Sequence, residues 1–284
     1  MFPEIDTKDA DSVEQEVRSI YRAVLPESND AIVANAFDWI ISCFSGHRQN
    51  YQAIDIKYHD LEHTLQVLLC MMRIISGRFE AGVHPRFTEK TVELGLLAML
   101  LHDTGYLKST NDTGGTGAKY TLVHVDRSCD FAAELLGEKE YNKNEIKAVQ
   151  NMIRCTGVDV KLDSIPFHDE LERVTGFALG TSDLLGQMAA DDYIEKLPFL
   201  YTEFEESFHY TKKTTPVAKL FSDVDDLLRS TPLFWGNYVK PRLDNDFGKL
   251  YEYLNHPYPH GPNKYIQHVE ANIAKIKGKY PANR

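Results

Sequence analysis

The sequence predicts an all-α fold. Apolar residues recur at spacings of three and four along almost the whole chain, the period of a helix that buries one face. No segment shows the sustained apolar/polar alternation, flanked by hairpin turns, that marks a strand. Glycines and prolines fall between the periodic segments rather than inside them: Gly46, Gly77, His84-Pro85, the run Thr110 to Gly117, Pro166, Pro198 and the segment His256 to Pro262.

The helices follow in order. Residues 11–25 set Val13, Val17, Ile20, Tyr21 and Val24 on one face, and residues 29–44 do the same with Ile32, Val33, Ala36, Phe37, Ile40 and Ile41. Further helices are expected over 61–75, 89–102, 119–136, 144–154, 169–188 and 191–209, then over 216–229, 244–255 and 263–277. The 284 residues suit one large helical domain or a domain with an appendage. We divide them into N-terminal helices at 1–48, a core at 49–210 and a helical C-terminal extension at 211–284, which together read as one compact domain. The extension is rich in aromatics and prolines and is expected to line the pocket. The N-terminal helices offer packing or a homodimer surface.

Hydrophobic residues make up 43% and charged residues 26%, a globular balance. The net charge of −11 argues against a nucleic-acid polymer as partner, because phosphate backbones need a concentrated basic face. It leaves room for a small phosphorylated substrate, since a bound divalent metal overrules global charge inside its own site. The longest apolar run, Leu94 to Leu101, is far short of the roughly 20 residues of a spanning helix, so no membrane role is expected. The acidic N-terminus lacks an export core. Cys43, Cys70, Cys129 and Cys155 are scattered with no Cys-x-x-Cys pair, which suggests reduced thiols and a cytoplasmic setting.

Two segments carry chemistry: Tyr58-His59-Asp60-Leu61-Glu62-His63 and Leu101-His102-Asp103-Thr104-Gly105. His59 and His63 are four apart, one turn from each other on a helix face. His102 and Asp103 leave a strongly apolar helix, with Gly105 as its stop. A carboxylate there needs a partner, because burying it alone is expensive. A divalent cation answers that need, and imidazole nitrogens with a carboxylate oxygen make a suitable donor set. Asp183 adds a third carrier, set among Phe177, Leu179, Leu184 and Leu185.

The order His63, His102-Asp103, Asp183 resembles the H…HD…D signature of the HD phosphohydrolase superfamily, an HD-type multi-helix bundle. The Tyr58-His59-x-x-x-His63 form resembles the cyclic-nucleotide phosphodiesterases, and Tyr120 to Leu136, with His124, is similar to their next helix. The resemblance covers about residues 50–190. It implies that His63, His102, Asp103 and Asp183 hold a metal, that Asp103 bridges to a second metal, and that His59 is the general acid. His124, Tyr58 and Gln187 are the candidates for substrate or second-metal contacts. Asp60 stands where those enzymes carry asparagine, and Tyr106 where a further histidine follows the pair. The cofactor is therefore expected to be one or two divalent ions, with Mn, Mg, Zn, Fe, Ni and Co all open.

The implied chemistry is hydrolysis of a phosphoester, cyclic nucleotide or another small phosphate. Metal lowers the pKa of bound water toward about 7. A histidine with a reference pKa of about 6.5 protonates the leaving oxygen. Three other readings stand beside it: an HD-type di-iron oxygenase, a non-catalytic nucleotide-binding signalling module, and a zinc protease. The last reads His59-Asp60-Leu61-Glu62-His63 as H-x-x-E-H, with Glu62 as base and Glu140 as further ligand. The stretch Asn111 to Lys119 lacks a preceding strand and so is not a phosphate loop. It reads as a lid or a flexible loop. Asp60 is expected to cap its helix, Glu203 to Glu206 to form a solvated face, and the remaining histidines (His47, His84, His168, His209, His256, His260, His268) to lie at the surface or in loops.

Overall fold

Side-chain caps fix where the helices begin, and apolar faces fix how they pack. The computed structural model describes residues 2–211 and 219–281. Among them are ten α-helices and no β-strand, so the protein is an all-α multi-helix bundle. The helices are α1 (Ala10–Val24), α2 (Ala31–Phe44), α3 (Leu61–Glu80), α4 (Glu89–Leu101), α5 (His124–Glu138), α6 (Lys143–Ile153), α7 (Glu170–Met188), α8 (Tyr193–Thr211), α9 (Val224–Phe234) and α10 (Lys264–Lys279). Asp60, Thr88, Asp169 and Asn263 each accept from a backbone N–H in the first turn of the helix that follows, and Asn142 with Glu145 closes a capping box on α6. Each satisfies donors that the helix itself cannot.

Three helices make the centre. α3 is buried without interruption from His63 to Arg78, and α4 from Leu94 to Leu101. A helix apolar all round belongs inside a bundle. α7 packs against both, and α1, α2, α5, α6 and α10 surround them. Each of Leu65, Leu68, Met71, Met72, Ile74 and Ile75 is at most 1% exposed, a burial worth about 1.5–3 kcal/mol per side chain. Gly186 sets the closeness of α7 to α3. A Cβ there would stand 2.9 Å from the Val67 Cα. The apolar core runs continuously from Val13 on α1 to Ile276 on α10. No described helix is long and apolar enough to cross a membrane.

Several boundaries depart from the periodicity, and Gly77 and Pro198, expected between helices, lie inside α3 and α8. The expected helix over 119–136 begins only at His124, after a 3₁₀ turn at Gly117–Tyr120. The expected helix over 244–255 is instead the end of a π turn at Arg242–Asp246 and a 3₁₀ turn at Leu250–Leu254. Its apolar residues do reach the core, but Lys249, in the left-handed region at φ 57°, interrupts the helical path. The helix expected over 216–229 runs from Val224 to Phe234, with Asp223 as its cap. The expected break near 211–216 lies largely outside the described residues. The stretch 110–117 is pinned rather than loose. Glu206 accepts from the Thr116 N–H and hydroxyl, each at 2.6 Å, and Asp55 accepts from the Gly117 N–H at 2.8 Å.

Candidate metal centre

Three central helices deliver four polar side chains to one point. His63 sits in the first turn of α3, where the Asp60 cap accepts from its backbone N–H at 2.9 Å. His102 follows the last residue of α4, and Asp103 comes next. Asp183 projects from α7, one turn before the Gly186 contact with α3. His63 Nε2 lies 3.3 Å from Asp103 Oδ2 and 3.4 Å from Asp183 Oδ1. His102 Nε2 lies 3.2 and 3.4 Å from the same two oxygens.

This geometry fits a metal ion. His63 Nε2, His102 Nε2 and Asp103 Oδ2 are buried and make no hydrogen bond. Unpaired buried polar atoms are costly, and three at one point call for a common partner. Donor atoms about 2.0–2.2 Å from one ion stand roughly 2.8–3.6 Å from their neighbours, as the four histidine–aspartate pairs do. The His102 ring is set for the role. Its Nδ1 is 2.7 Å from the Met99 carbonyl, which takes the Nδ1 proton and leaves the Nε2 lone pair facing the cluster.

Burial works against charge on His63, yet the Asp103 and Asp183 carboxylates hold its imidazole up at about 9. His102 is likewise raised, against burial, chiefly by Asp103. Burial would raise the two carboxyls, but the facing imidazoles hold both well below the usual carboxylate range. The cluster thus favours negative carboxylates beside positive partners, the balance a divalent cation meets.

His59 does not share a helix with His63, contrary to the spacing argument. It precedes the Asp60 cap, in the bend at residues 57–60 before α3. Its ring still lies 5.5 Å from the His63 ring, because α8 holds it there. Glu203 Oε2 is 2.6 Å from His59 Nδ1, and Glu203 Oε1 accepts from the backbone N–H groups of Tyr58 at 2.8 Å and Lys57 at 3.2 Å. Glu203 is only 4% exposed, so it is no part of a solvated face. Its neighbours differ from it: Glu205 pairs with Lys219, and Glu206 holds the 110–117 stretch. Sequence reasoning missed Glu203.

Tyr106 stacks on two histidines, 4.7 Å from His59 at 17° and 4.7 Å from His124 at 16°, and the two imidazole rings lie 6.3 Å from each other. His124 Nδ1 meets the Thr121 carbonyl at 2.6 Å, and its Nε2 lies 3.8 Å from Asp103 Oδ1. Burial lowers the His124 pKa, with partial compensation from Asp103, which keeps its ring neutral. Tyr58 and Gln187 do not join the cluster. The Tyr58 hydroxyl donates to Gln187 Oε1, and Gln187 Nε2 donates to the Asp183 carbonyl at 2.8 Å, so the pair buttresses α7 behind Asp183.

The H-x-x-E-H reading fails on this geometry. Glu62 pairs with Lys196 at 2.9 Å, and Glu140 follows α5 as an exposed residue. Among the described residues, His63 groups with His102 and Asp103 instead.

Fold and site together define an all-α protein with a buried two-histidine, two-aspartate centre suited to a divalent cation. The sequence profile of the Npun_R2479-like family matches residues 110–278, more than half of the chain, and the protein belongs to that family. The match includes His124, Asp183 and Glu203 and begins after His59, His63, His102 and Asp103. No curated protein matches the chain.

Proposed function

We propose that this protein is a metal-dependent phosphohydrolase of the HD type, phosphodiesterase-like in its motif form, acting on a small phosphoester. The observation that carries the reading is the convergence of buried, hydrogen-bond-free atoms of His63, His102 and Asp103, with Asp183, beside a histidine held by a carboxylate. His63, His102, Asp103 and Asp183 would hold the metal, and Asp103 Oδ1, turned toward His124, would serve a second one. The chemistry a divalent ion would supply there is neutralisation of phosphate charge and a bound water acidic enough to react near neutral pH.

The remaining work falls to residues of the chain. Glu203 fixes the His59 ring through Nδ1, which leaves His59 Nε2 to give its proton to the departing oxygen. Tyr106 stacks on His59 and on His124 and so keeps both rings in one orientation. His124, neutral and with Nδ1 engaged by Thr121, offers an acceptor at Nε2 toward a water or phosphate hydroxyl.

The test joins metal content to turnover. Protein purified without chelator is analysed by elemental mass spectrometry. It is then assayed on bis-p-nitrophenyl phosphate and a panel of cyclic and linear nucleotides, beside His102→Ala/Asp103→Ala. Metal and ester turnover lost together support the reading. A metal-free wild type, or turnover indifferent to the two substitutions, ends it.

A further inference from the structure

Three of the four imidazoles around the centre are held at Nδ1. His59 Nδ1 meets Glu203, His102 Nδ1 the Met99 carbonyl and His124 Nδ1 the Thr121 carbonyl. His63 differs. Its ring meets Asp103 and Asp183 through Nε2, and no other polar group among the described residues acts on it. A metal-binding imidazole needs a partner at its second nitrogen, because that partner takes the Nδ1 proton and leaves the Nε2 lone pair to face the ion.

A cavity of about 10 Å³ touches His63, between α3 and the junction of α7 with α8. Tyr58, Gln66, Gln187, Tyr193 and Lys196 line it with His63. That is room for about one water molecule, which also needs two to four polar partners. Two lining residues besides His63 keep bonding capacity. Tyr193 is 5% exposed, and burial alone pushes its phenol up, with no polar neighbour contributing. Gln66, three residues after His63 on the same face of α3, uses only its Nε2, on Glu62 at 3.3 Å and Thr7 at 3.4 Å, and so keeps Oε1. The other polar lining groups are engaged: the Tyr58 hydroxyl donates to Gln187, Gln187 to the Asp183 carbonyl, and Lys196 pairs with Asp60 and Glu62.

We infer that this cavity binds one ordered water, which accepts the Nδ1 proton of His63 and joins that ring to Gln66 and Tyr193. The inference rests on the reading of the cluster as a metal centre and is independent of the reaction performed there. The water accepts from His63, donates to Gln66 Oε1 and shares a hydrogen bond with the Tyr193 hydroxyl. It thereby satisfies three buried polar groups that would otherwise be costly at one place. Gln66 and Tyr193 are positioning residues: they touch neither the ion nor a substrate and act through the orientation and tautomer of His63. With them, each of the four imidazoles has a partner at Nδ1.

The experiment uses the full chain and Zn²⁺ alone. Zn²⁺ affinity is measured by competition with a chelator, and a crystal structure of the Zn²⁺-loaded protein, at a resolution that shows waters, reads the cavity. Gln66→Met and Tyr193→Phe each remove one partner of the water and keep the bulk of the side chain. Thr7→Ala removes another contact of Gln66 and leaves the cavity as it is. We expect one water within hydrogen-bonding distance of His63 Nδ1, Gln66 and Tyr193. Zn²⁺ should bind about tenfold more weakly in Gln66→Met and in Tyr193→Phe and normally in Thr7→Ala, with melting temperatures in chelator near wild type for all three. A merely structural role would do the reverse, lowering the melting temperature and sparing the affinity. No water at His63 Nδ1, or Zn²⁺ bound by wild type and equally well by Gln66→Met and Tyr193→Phe, overturns the inference alone. A wild type that binds no Zn²⁺ overturns the metal-centre reading, and the inference falls with it.

Discussion

Glu203 Oε2 lies 2.6 Å from His59 Nδ1, a contact made across 144 residues of sequence. The same carboxylate accepts two backbone N–H groups just before His59. It therefore fixes both the main chain and the ring of the residue proposed to deliver a proton. Glu203→Gln retains an acceptor for the backbone and loses the charge that steadies the ring. Phosphoester turnover should fall by about 10²-fold, a loss in the range of general acid–base catalysis, while bound metal and melting temperature stay near wild type. Elemental analysis, thermal melts and kcat on one sample decide it. A variant with wild-type turnover would remove Glu203 and His59 from the chemistry.

Metal removal should destabilise the protein. The centre joins α3, α4 and α7, so an ion bound only in the folded state stabilises by about 4 kcal/mol at a thousand times its Kd. Chelator should lower the melting temperature of wild type and leave that of His102→Ala/Asp103→Ala unchanged. Iron content with oxygen uptake and no ester hydrolysis would instead favour the di-iron oxygenase reading. Tight nucleotide binding without turnover would favour the signalling module.

The metal-free protein should show its own pH dependence. His63 is held at about 9 against an ordinary 6.5. Its contribution is whole below pH 6.5 and fades as pH rises through about 9. Asp103 and Asp183 are held below the ordinary 3.8, so theirs is whole above that value and fades as pH falls. Chelated protein should thus melt highest between about pH 4 and 6.5 and lose stability toward pH 9. Melts in chelator across that range test it. A flat alkaline limb would mean that the carboxylates do not hold a proton on His63.

Gly105 has no room for a side chain. A Cβ there would overlap the backbone carbonyl of His124, the first residue of α5. Backbone cannot step aside as a flexible side chain can, so Gly105→Ala should cost about 1–3 kcal/mol. It should also push His124 from Asp103 and reduce turnover more than the stability loss alone explains. Urea melts beside kcat/KM measure both. Gly137, with nothing near its Cβ position, is the control: Gly137→Ala should be neutral or slightly stabilising, because α5 gains helix propensity there.

Local pattern settled the all-α class and most of the helices. Val13 to Val24 and Leu61 to Ile75 advertise helix because burial of one face, or of every face, leaves a periodic trace. His63, His102, Asp103 and Asp183 were legible for a related reason: each interrupts or ends an apolar helix, where an unpaired polar group has no local use. Asp60 as a cap was equally local. What tertiary structure decided lies between elements far apart in the chain. Glu203 looked like one of several solvated acids, since nothing adjacent in sequence marks which of Glu203, Glu205 and Glu206 turns inward. Only the seat of α8 against the start of α3, tied by Lys196 to Asp60 and Glu62, brings Glu203 to His59. The Tyr106 contacts with His59 and His124 arise in the same way. Hydrophobic periodicity records that a face is buried but carries no record of what it is buried against, and that partner is chosen by packing over the whole core.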